Sequence, residues 1–542
     1  MKTQSLEQLR QEFLKEAQSA PKLFRDLAKV EQYIAESYKT RALIELIQNA
    51  DDAESSLFGI HDIIGGFIVG NNGRPFTIDD VESLCRSGSS NKQRGGTTIG
   101  YRGIGFKSVV NIANEVSVLS GDFCFSFNRE KTQLALKNDL DVPLIRIPHP
   151  SEITNPIHKD ALVLKEKHKY NTVFIFQNVI EEISEEELSS IDRSSLLFLK
   201  NIRRVLIDHK NISRDIIVEH KRVETRRIVK IKEVESIDEW EVDCQATNDV
   251  DLIAFKKEGN LIVPALPDES VIHSFTPTNE FSGAFIKING DFSTDPSRKT
   301  IDLDGQSKKS FENAVSIIVS SITSILEGFF TPFVNIHVIE SSRFKLLLFK
   351  GIEAGLENSR ISSNNGESER FSSVRLKPEW LNFEDYENLC IDGFVSISKN
   401  LITTYPELFT FLKAINTKTL NLDDIISRIN SVKISNIGCA QIFEKIIKQY
   451  RYDLTTDKIS QLKTLKIFPC NNDIFKAEYV KSASELNNEF KSYLKNNVDT
   501  AELNLFLKKL DITPEILPEK SVVDNENANN TFQSTSATYS SN

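Results

Sequence analysis

The sequence predicts an α/β protein: an N-terminal two-layer α/β sandwich, a second α/β domain behind it, and a mainly helical C-terminal region. Three observations carry that prediction. Apolar residues recur at helical spacing through residues 4–56, with a break near Pro21. Short strand-like runs separated by Gly- and Asn-rich turns follow, and from about 340 to 510 the helical period returns. The expected domains are 1–200, 201–335 and 336–515, with a disordered Asn-, Ser- and Thr-rich tail over 516–542.

Each element has a local reason. Leu43, Leu46, Ile47, Ala50 and Ala53 form one apolar helix face. Phe67-Ile68-Val69 lies between Gly65-Gly66 and Gly70, which predicts a buried strand ending in a turn at Asn71-Asn72-Gly73. A short helix over 79–85 is capped by Thr77. Residues 87–105 are rich in Gly, Ser and Thr and read as a loop, after which 106–113 begins a helix. Strands at 116–120 and 123–127 are joined by Gly121-Asp122, and Thr172 opens a strand over 172–176. From about residue 200, runs at 216–218, 228–231 and 284–288 and a helix near 309–328 predict the second domain. The polar stretch 359–373 reads as an exposed loop within the helical region.

Composition bounds the function. Hydrophobic residues at 39% and charged residues at 26% suit a globular chain with several cores. A net charge of -11 disfavours a surface given over to nucleic acid. The six cysteines are far apart and contain no CxxC pair, which suits free thiols rather than a disulfide frame or zinc ribbon. The first residues lack an apolar core, and no apolar run reaches about eighteen residues, so a cytoplasmic protein without membrane spans is expected.

Two stretches carry chemistry. Glu45, Asn49 and Asp52 fall at i, i+4 and i+7, so they share a second face of the first apolar helix. On the helix alone two readings stand: a general base with a metal-binding carboxamide, or a solvated polar face. The second stretch is Gly100-Tyr101-Arg102-Gly103-Ile104-Gly105-Phe106-Lys107-Ser108, whose glycines let backbone amides approach a phosphate ahead of a helix N-terminus. It is not a Walker A loop, because Phe106 separates Gly105 from Lys107. Nor is it a dinucleotide fingerprint, which needs a strand where this chain has a loop.

Taken in order, Glu45–Ala53, Asn71-Asn72-Gly73, Ser87–Gly105 and Thr172 resemble the four motifs of the GHKL ATPase class, whose ATP-binding domain is the Bergerat fold. That class includes gyrase B, MutL, histidine kinases and the ATP-driven heat-shock chaperone. Asn71-Asn72-Gly73-Arg74-Pro75-Phe76 and Ile99–Val109 resemble its sacsin-like and NO VEIN-like branch. The resemblance covers roughly residues 20–180. It implies ATP and Mg²⁺ as ligands. Glu45 would deprotonate the attacking water, and Asn49 would hold Mg²⁺. Asp52, Thr172, Asn71 and Gly73 would recognise adenine. Gly100, Gly103, Gly105 and Phe106 would wrap the phosphates, and Lys92 and Lys107 would add positive charge. The family's adenine-reading aspartate is Asn71 here, or Asn72, which keeps an acceptor but loses charge assistance. Histidine kinases of the class usually carry asparagine where Glu45 stands, so the resemblance implies water as the acceptor.

Ser297-Arg298-Lys299 resembles the Ser-Arg-Glu loop of the chaperone's middle domain, which implies that Arg298, or Lys299 in the neighbouring register, reaches the γ-phosphate. ATP would then draw the first two domains together, and the second would be transducer-like. Homodimerisation on ATP and a protein partner for the C-terminal region are implied by the class, with chaperone-like remodelling or anti-phage defence as outputs. Lys221, Arg222, Arg226, Arg227, Lys230 and Lys232 could track nucleic acid, but the interleaved Glu219, Glu224, Glu233 and Glu235 favour a solvated strand face. The rival functions are an ATP sensor that does not hydrolyse and a nucleic-acid-stimulated ATPase.

Overall fold

The computed structural model describes residues 2–37, 41–86, 105–152, 156–180, 185–223, 226–243, 250–295, 298–323, 332, 342–362, 368–391, 393–452 and 454–514. They form a mixed α/β protein in two compact units. One comprises residues 1–374 and 398–418, and the other residues 375–397 and 419–542. The regions expected as separate domains at 1–200 and 201–335 lie together in the first unit.

The first unit opens with helices α1 (Lys2–Ser19), α2 (Pro21–Ser37) and α3 (Ala42–Asp52). Strands β1 (Leu57–Ile63) and β2 (Gly66–Asn71) make an antiparallel hairpin, followed by α4 (Ile78–Cys85). A capping box of Thr77 and Asp80 starts α4, with Thr77 Oγ1 accepting from the Asp80 amide. The segment after the glycine motif is a 3-10 helix, Gly105–Asn111, rather than the expected helix over 106–113, because strand β3 already begins at Ala113. Then come β3 (Ala113–Ser120), β4 (Phe123–Asn128), α5 (Arg129–Leu136), β5 (His149–Pro150), α6 (Pro156–His168) and β6 (Thr172–Val179).

Past α7 (Glu185–Ser190) and α8 (Arg193–Leu196), strand β7 (Arg204–His209) lies parallel to β1 and antiparallel to β8 (Ile212–Val223). The sheet continues through β9 (Arg226–Glu233), β10 (Ser236–Asp243), β11 (Leu252–Glu258), β12 (Leu261–Val263), β13 (Val271–Ser274), β14 (Thr276–Phe281) and β15 (Lys287–Asn289). Among the described residues it is one 15-stranded sheet, ordered β14-β13-β15-β11-β10-β9-β8-β7-β1-β2-β6-β3-β4-β5, with β12 beside β11. Helix α9 (Gly305–Thr323) follows.

Strand alternation sorts side chains to two faces. Phe67, Val69, Val116, Val118, Phe174 and Phe176 join α1–α3 in one core that extends to Trp240 and Phe275. Ile68, Val173 and Ile175 face the other way, with Tyr170 and Ala161 of α6. Gly59 and Gly70 pair in register because both lie under the Tyr170 ring: a Cβ would stand 1.9 Å from its Oη at Gly59 and 2.3 Å from its Cδ2 at Gly70.

The second unit has its own core around Phe443, Ile446, Phe468 and Phe490. Its longest described helix is Asn436–Tyr450, beside Asn488–Asn497 and Thr500–Lys509, with one strand pair at Phe468–Cys470 and Asp473–Phe475. In the first unit, the stretch read as a loop over 359–373 contains paired strands Arg360–Ser362 and Ser368–Arg370. Among the described residues no helix is long and apolar enough to cross a membrane.

Candidate functional site

Helix α3 is the centre of the site. Its apolar residues are buried as the spacing requires, and Glu45, Gln48 and Asp51 are buried with them. Asn49 and Asp52 are half-buried. A buried carboxylate needs partners, and Asp51 finds them in backbone: Oδ2 accepts from the Lys200 amide at 3.0 Å, and Oδ1 from those of Asn201 and Ile202 at 2.7 and 2.9 Å. Burial raises its carboxyl above the ordinary range, while these three donors pull it down. At the helix start, Glu187 of α7 accepts from the Leu43 amide at 3.2 Å. Arg41 donates to Thr276 Oγ1 at 2.9 Å and the Pro277 carbonyl at 3.1 Å.

The turn after β2 docks on the end of α3. The Arg74 amide donates to the Ala53 carbonyl at 2.7 Å, and a Cβ on Gly73 would stand 2.6 Å from the same oxygen, so only glycine permits this approach. The two asparagines have different tasks. Asn72 Oδ1 accepts from Ser55 Oγ, the Ser56 amide and the Leu57 amide at 2.8–2.9 Å, which makes it the brace of the turn. Asn71 is buried at the end of β2, its Oδ1 accepting from the Gly73 amide at 3.1 Å. It pairs in register with Thr172 of β6, which pairs in turn with Ser120 of β3. By strand alternation these three side chains lie on the α3 face of the sheet. Thr172 Oγ1 and Ser120 Oγ are 2.6 Å apart, and Ser120 Oγ also accepts from the Phe76 amide at 2.9 Å.

Arg298 completes the arrangement from 253 residues away in sequence. The loop that carries it is tied down by Asp295, whose Oδ1 accepts from the Thr300 amide at 2.9 Å. The Asn279 amide of β14 donates to the Lys299 carbonyl at 3.0 Å. Arg298 itself has φ of 53°, a left-handed backbone. Its Nε stands 3.3 Å from Glu45 Oε1, its Nη2 donates to Glu45 Oε2 at 3.4 Å, and its Nη1 donates to Gln48 Oε1 at 3.2 Å. Lys299 is exposed, so the arginine is the residue of this loop turned onto α3.

The structure thus brings Glu45, Asn49, Asp52, Asn71, Gly73, Thr172 and Arg298 to α3 and the strand ends beside it. Lys107, expected beside the phosphates, is held by other partners. The 106–110 segment is buried, so its lysine finds partners inside: Nζ donates to the Ile145 carbonyl at 3.0 Å and lies 3.9 Å from Glu31. Burial lowers its pKa and the Glu31 charge opposes that shift. Phe106 packs its ring 5.1 Å from that of Phe174, as a core residue. Gly105 opens the 3-10 helix. Lys92, Gly100 and Gly103 lie outside the described residues, as does the expected tail.

Sequence reasoning missed Gln48, Asp51, Ser120 and Asn171. Asn171 donates through Nδ2 to the carbonyls of Asn72 and Gly73, both at 2.9 Å. A signal existed only for Gln48 and Asp51, polar residues beside the apolar stripe of α3. Three of the basic residues of β8 and β9 have acidic neighbours: Lys232 meets Glu219 at 2.5 Å, Lys230 meets Glu239 at 3.0 Å and Arg226 meets Glu241 at 3.1 Å.

The carboxamide oxygen of Asn49 is a donor that suits a hard divalent cation. Gln48 Nε2 is a buried atom without a hydrogen-bond partner among the described residues, and Glu45 Oε1 has the ion pair with Arg298 Nε at 3.3 Å. Together with Asn49 and Arg298 they offer a proton acceptor, carboxamides and one fixed cation within two turns of helix.

No family model matches the chain. Over 193 residues, 33% of this chain, the sequence is 30% identical to Protein NO VEIN of Arabidopsis thaliana. The matched stretch is 7% of that protein, so the chain spans a small part of its length. In structure, 62% of the chain overlaps 98% of the B-subunit of the DNA gyrase from Myxococcus xanthus, at 8% identity and a TM-score of 0.28, values at which neither fold nor function transfers.

Proposed function

We propose that this chain is a Mg²⁺-dependent ATPase of the GHKL class, in its sacsin-like and NO VEIN-like branch, with a Bergerat-type site built on α3. The observation that carries the reading is the meeting of Glu45 and Arg298, a general base and a cation converging from distant parts of the chain. Similarity to Protein NO VEIN over 193 residues supports it.

In this reading Glu45 orients the attacking water and takes its proton. Asn49 would hold Mg²⁺ through its carboxamide oxygen; when bound, the ion offsets charge on the phosphate oxygens. Asn71, Thr172 and Asp52 read the adenine end, and the Gly73 turn closes against it. Arg298 stabilises charge that develops on the transferred phosphoryl group. The guanidinium and the water's proton compete for the same Glu45 carboxylate, so Arg298 must leave Glu45 as hydrolysis begins. That exchange of partners would pass the nucleotide's state to the second α/β region, with dimer closure and a protein partner at the C-terminal region as its outputs.

One observation favours a second reading, an ATP sensor that does not hydrolyse. Asn71 replaces the expected aspartate, and its oxygen is engaged by Gly73. Mg²⁺-dependent ATP turnover of the wild type beside Glu45→Ala separates the two. The hydrolase reading expects wild-type turnover and a loss of about a hundredfold or more in Glu45→Ala with ATP still bound. Wild-type binding without turnover selects the sensor, and a rate raised by nucleic acid selects the basic strands as a regulatory surface.

A further inference from the structure

Gln48 stands one turn after Glu45 on α3 and is 1% exposed. Burying a carboxamide is costly unless its oxygen and both N–H groups are satisfied. Here only half of it is. A guanidinium has donors alone, so the carboxamide must turn its oxygen to Arg298 Nη1, at 3.2 Å. Its Nε2 has no hydrogen-bond partner among the described residues. Packing alone does not account for such a residue, since a leucine or methionine would fill the position without that cost.

The guanidinium is therefore shared between a charged acceptor and a neutral one. Its distances to Glu45, 3.3 and 3.4 Å, are longer than the roughly 2.7–2.9 Å of a tight charge-assisted pair. Glu45 is not a closed bidentate clamp on Arg298. If it were the sole partner, a guanidinium released by Glu45 would have nothing to hold it at α3.

We propose that Gln48 is the positioning residue of Arg298. It is a neutral acceptor that keeps the guanidinium beside the site when Glu45 gives it up to take the proton of water. This rests on the hydrolase reading above. A neutral acceptor suits the task because it holds the arginine without competing with a phosphoryl group for its charge. A carboxylate at position 48 would compete.

A double-mutant cycle in the full chain tests this through Mg²⁺-ATP turnover of wild type, Gln48→Met, Arg298→Ala and the double variant. Methionine matches the volume of glutamine and removes the acceptor. The expected result is a fall in kcat of about tenfold for Gln48→Met, with KM for ATP within about twofold. Beside Arg298→Ala the same substitution should change nothing further, because the group it positions is gone. A merely structural role would lower turnover by the same factor in both backgrounds, and that outcome overturns the proposal. So does a rise in KM with kcat unchanged. Should Gln48→Met fail to fold, Gln48→Ser is read in the same cycle. Wild type without turnover removes the hydrolase reading and this proposal together, whereas additive losses in an active enzyme remove this proposal alone.

Discussion

Replacing Arg298 by methionine strips a counter-charge from a place where charge is hard to bury. Arg298 is 7% exposed and Glu45 is 4% exposed. Breaking a buried pair from one side costs about 3–5 kcal/mol, because the other charge stays behind. Two features moderate that figure. The pair is long, at 3.3 Å, and Glu45 lies in the first turn of α3, where the helix dipole returns about 0.3–1 kcal/mol. The expected loss is therefore about 2–4 kcal/mol. In Arg298→Met with Glu45→Gln no charge is stranded, and the double variant should recover at least about 1 kcal/mol of that loss. The chain has two tryptophans, so Trp380→Phe leaves Trp240 of β10, buried in the core, as a fluorescent reporter of the first unit during urea unfolding. A loss below about 0.5 kcal/mol in Arg298→Met, or a double variant no more stable than the single, would show that the 295–300 loop does not sit on α3.

Two further outcomes follow from other parts of the first unit. Asn72→Ala strands the three donors that its oxygen accepts at Ser55, Ser56 and Leu57 and should cost about 1–2 kcal/mol in the same unfolding assay, with Asn72→Asp retaining most of the stability. Lys287 is buried against Ser194 Oγ and the Glu269 carbonyl, and burial lowers its pKa from the ordinary 10.5 to about 8. Between those values the unfolded chain holds a proton that the folded chain has released. Stability should therefore rise with pH from about 8 to 10.5, and Lys287→Met should flatten the rise.

What the sequence showed depended on how local each cause is. The apolar stripe of α3, the Thr77 cap and the alternation at 116–120 and 123–127 are set by neighbours in the chain, and they stand in the structure. Strand β1 was invisible because Gly59, His61 and Asp62 interrupt its apolar residues. Gly59 is explained chiefly by Tyr170, more than a hundred residues on. Lys107 shows the same limit: next to three glycines it reads as a phosphate ligand, and only the fold reveals Glu31 and Ile145 as its partners. Asn71 and Asn72 are indistinguishable as letters, and the bonds to Ser55–Leu57 separate them.

On the ATPase reading proposed above, the sheet also limits how a nucleotide could act. The sequence reading has ATP drawing two domains together, yet β7 runs beside β1 from the Leu57–Arg204 pair to the His61–Asp208 pair. Parting them would expose Phe58, Ile60, Val205 and Ile207, each at most 1% exposed. At about 1.5–3 kcal/mol per side chain, that is about 6–12 kcal/mol before any hydrogen bond is counted. A ligand would have to supply at least that much as differential binding, more than the ~5.5 kcal/mol that carries a two-state equilibrium from 1:99 to 99:1, so strand separation is the costly route. On that reading a smaller movement would start where the holds are weakest. Asp51 ties the end of α3 to three backbone amides, whereas Arg298 rests on α3 through contacts of 3.2–3.4 Å. Its loop is bonded to Asn279 of β14, the strand whose Thr276 and Pro277 receive Arg41 from the other end of α3. On the proposed reading, a change of partner by Arg298 would therefore pull on β14 at one end of the sheet while the β1–β7 seam stayed closed.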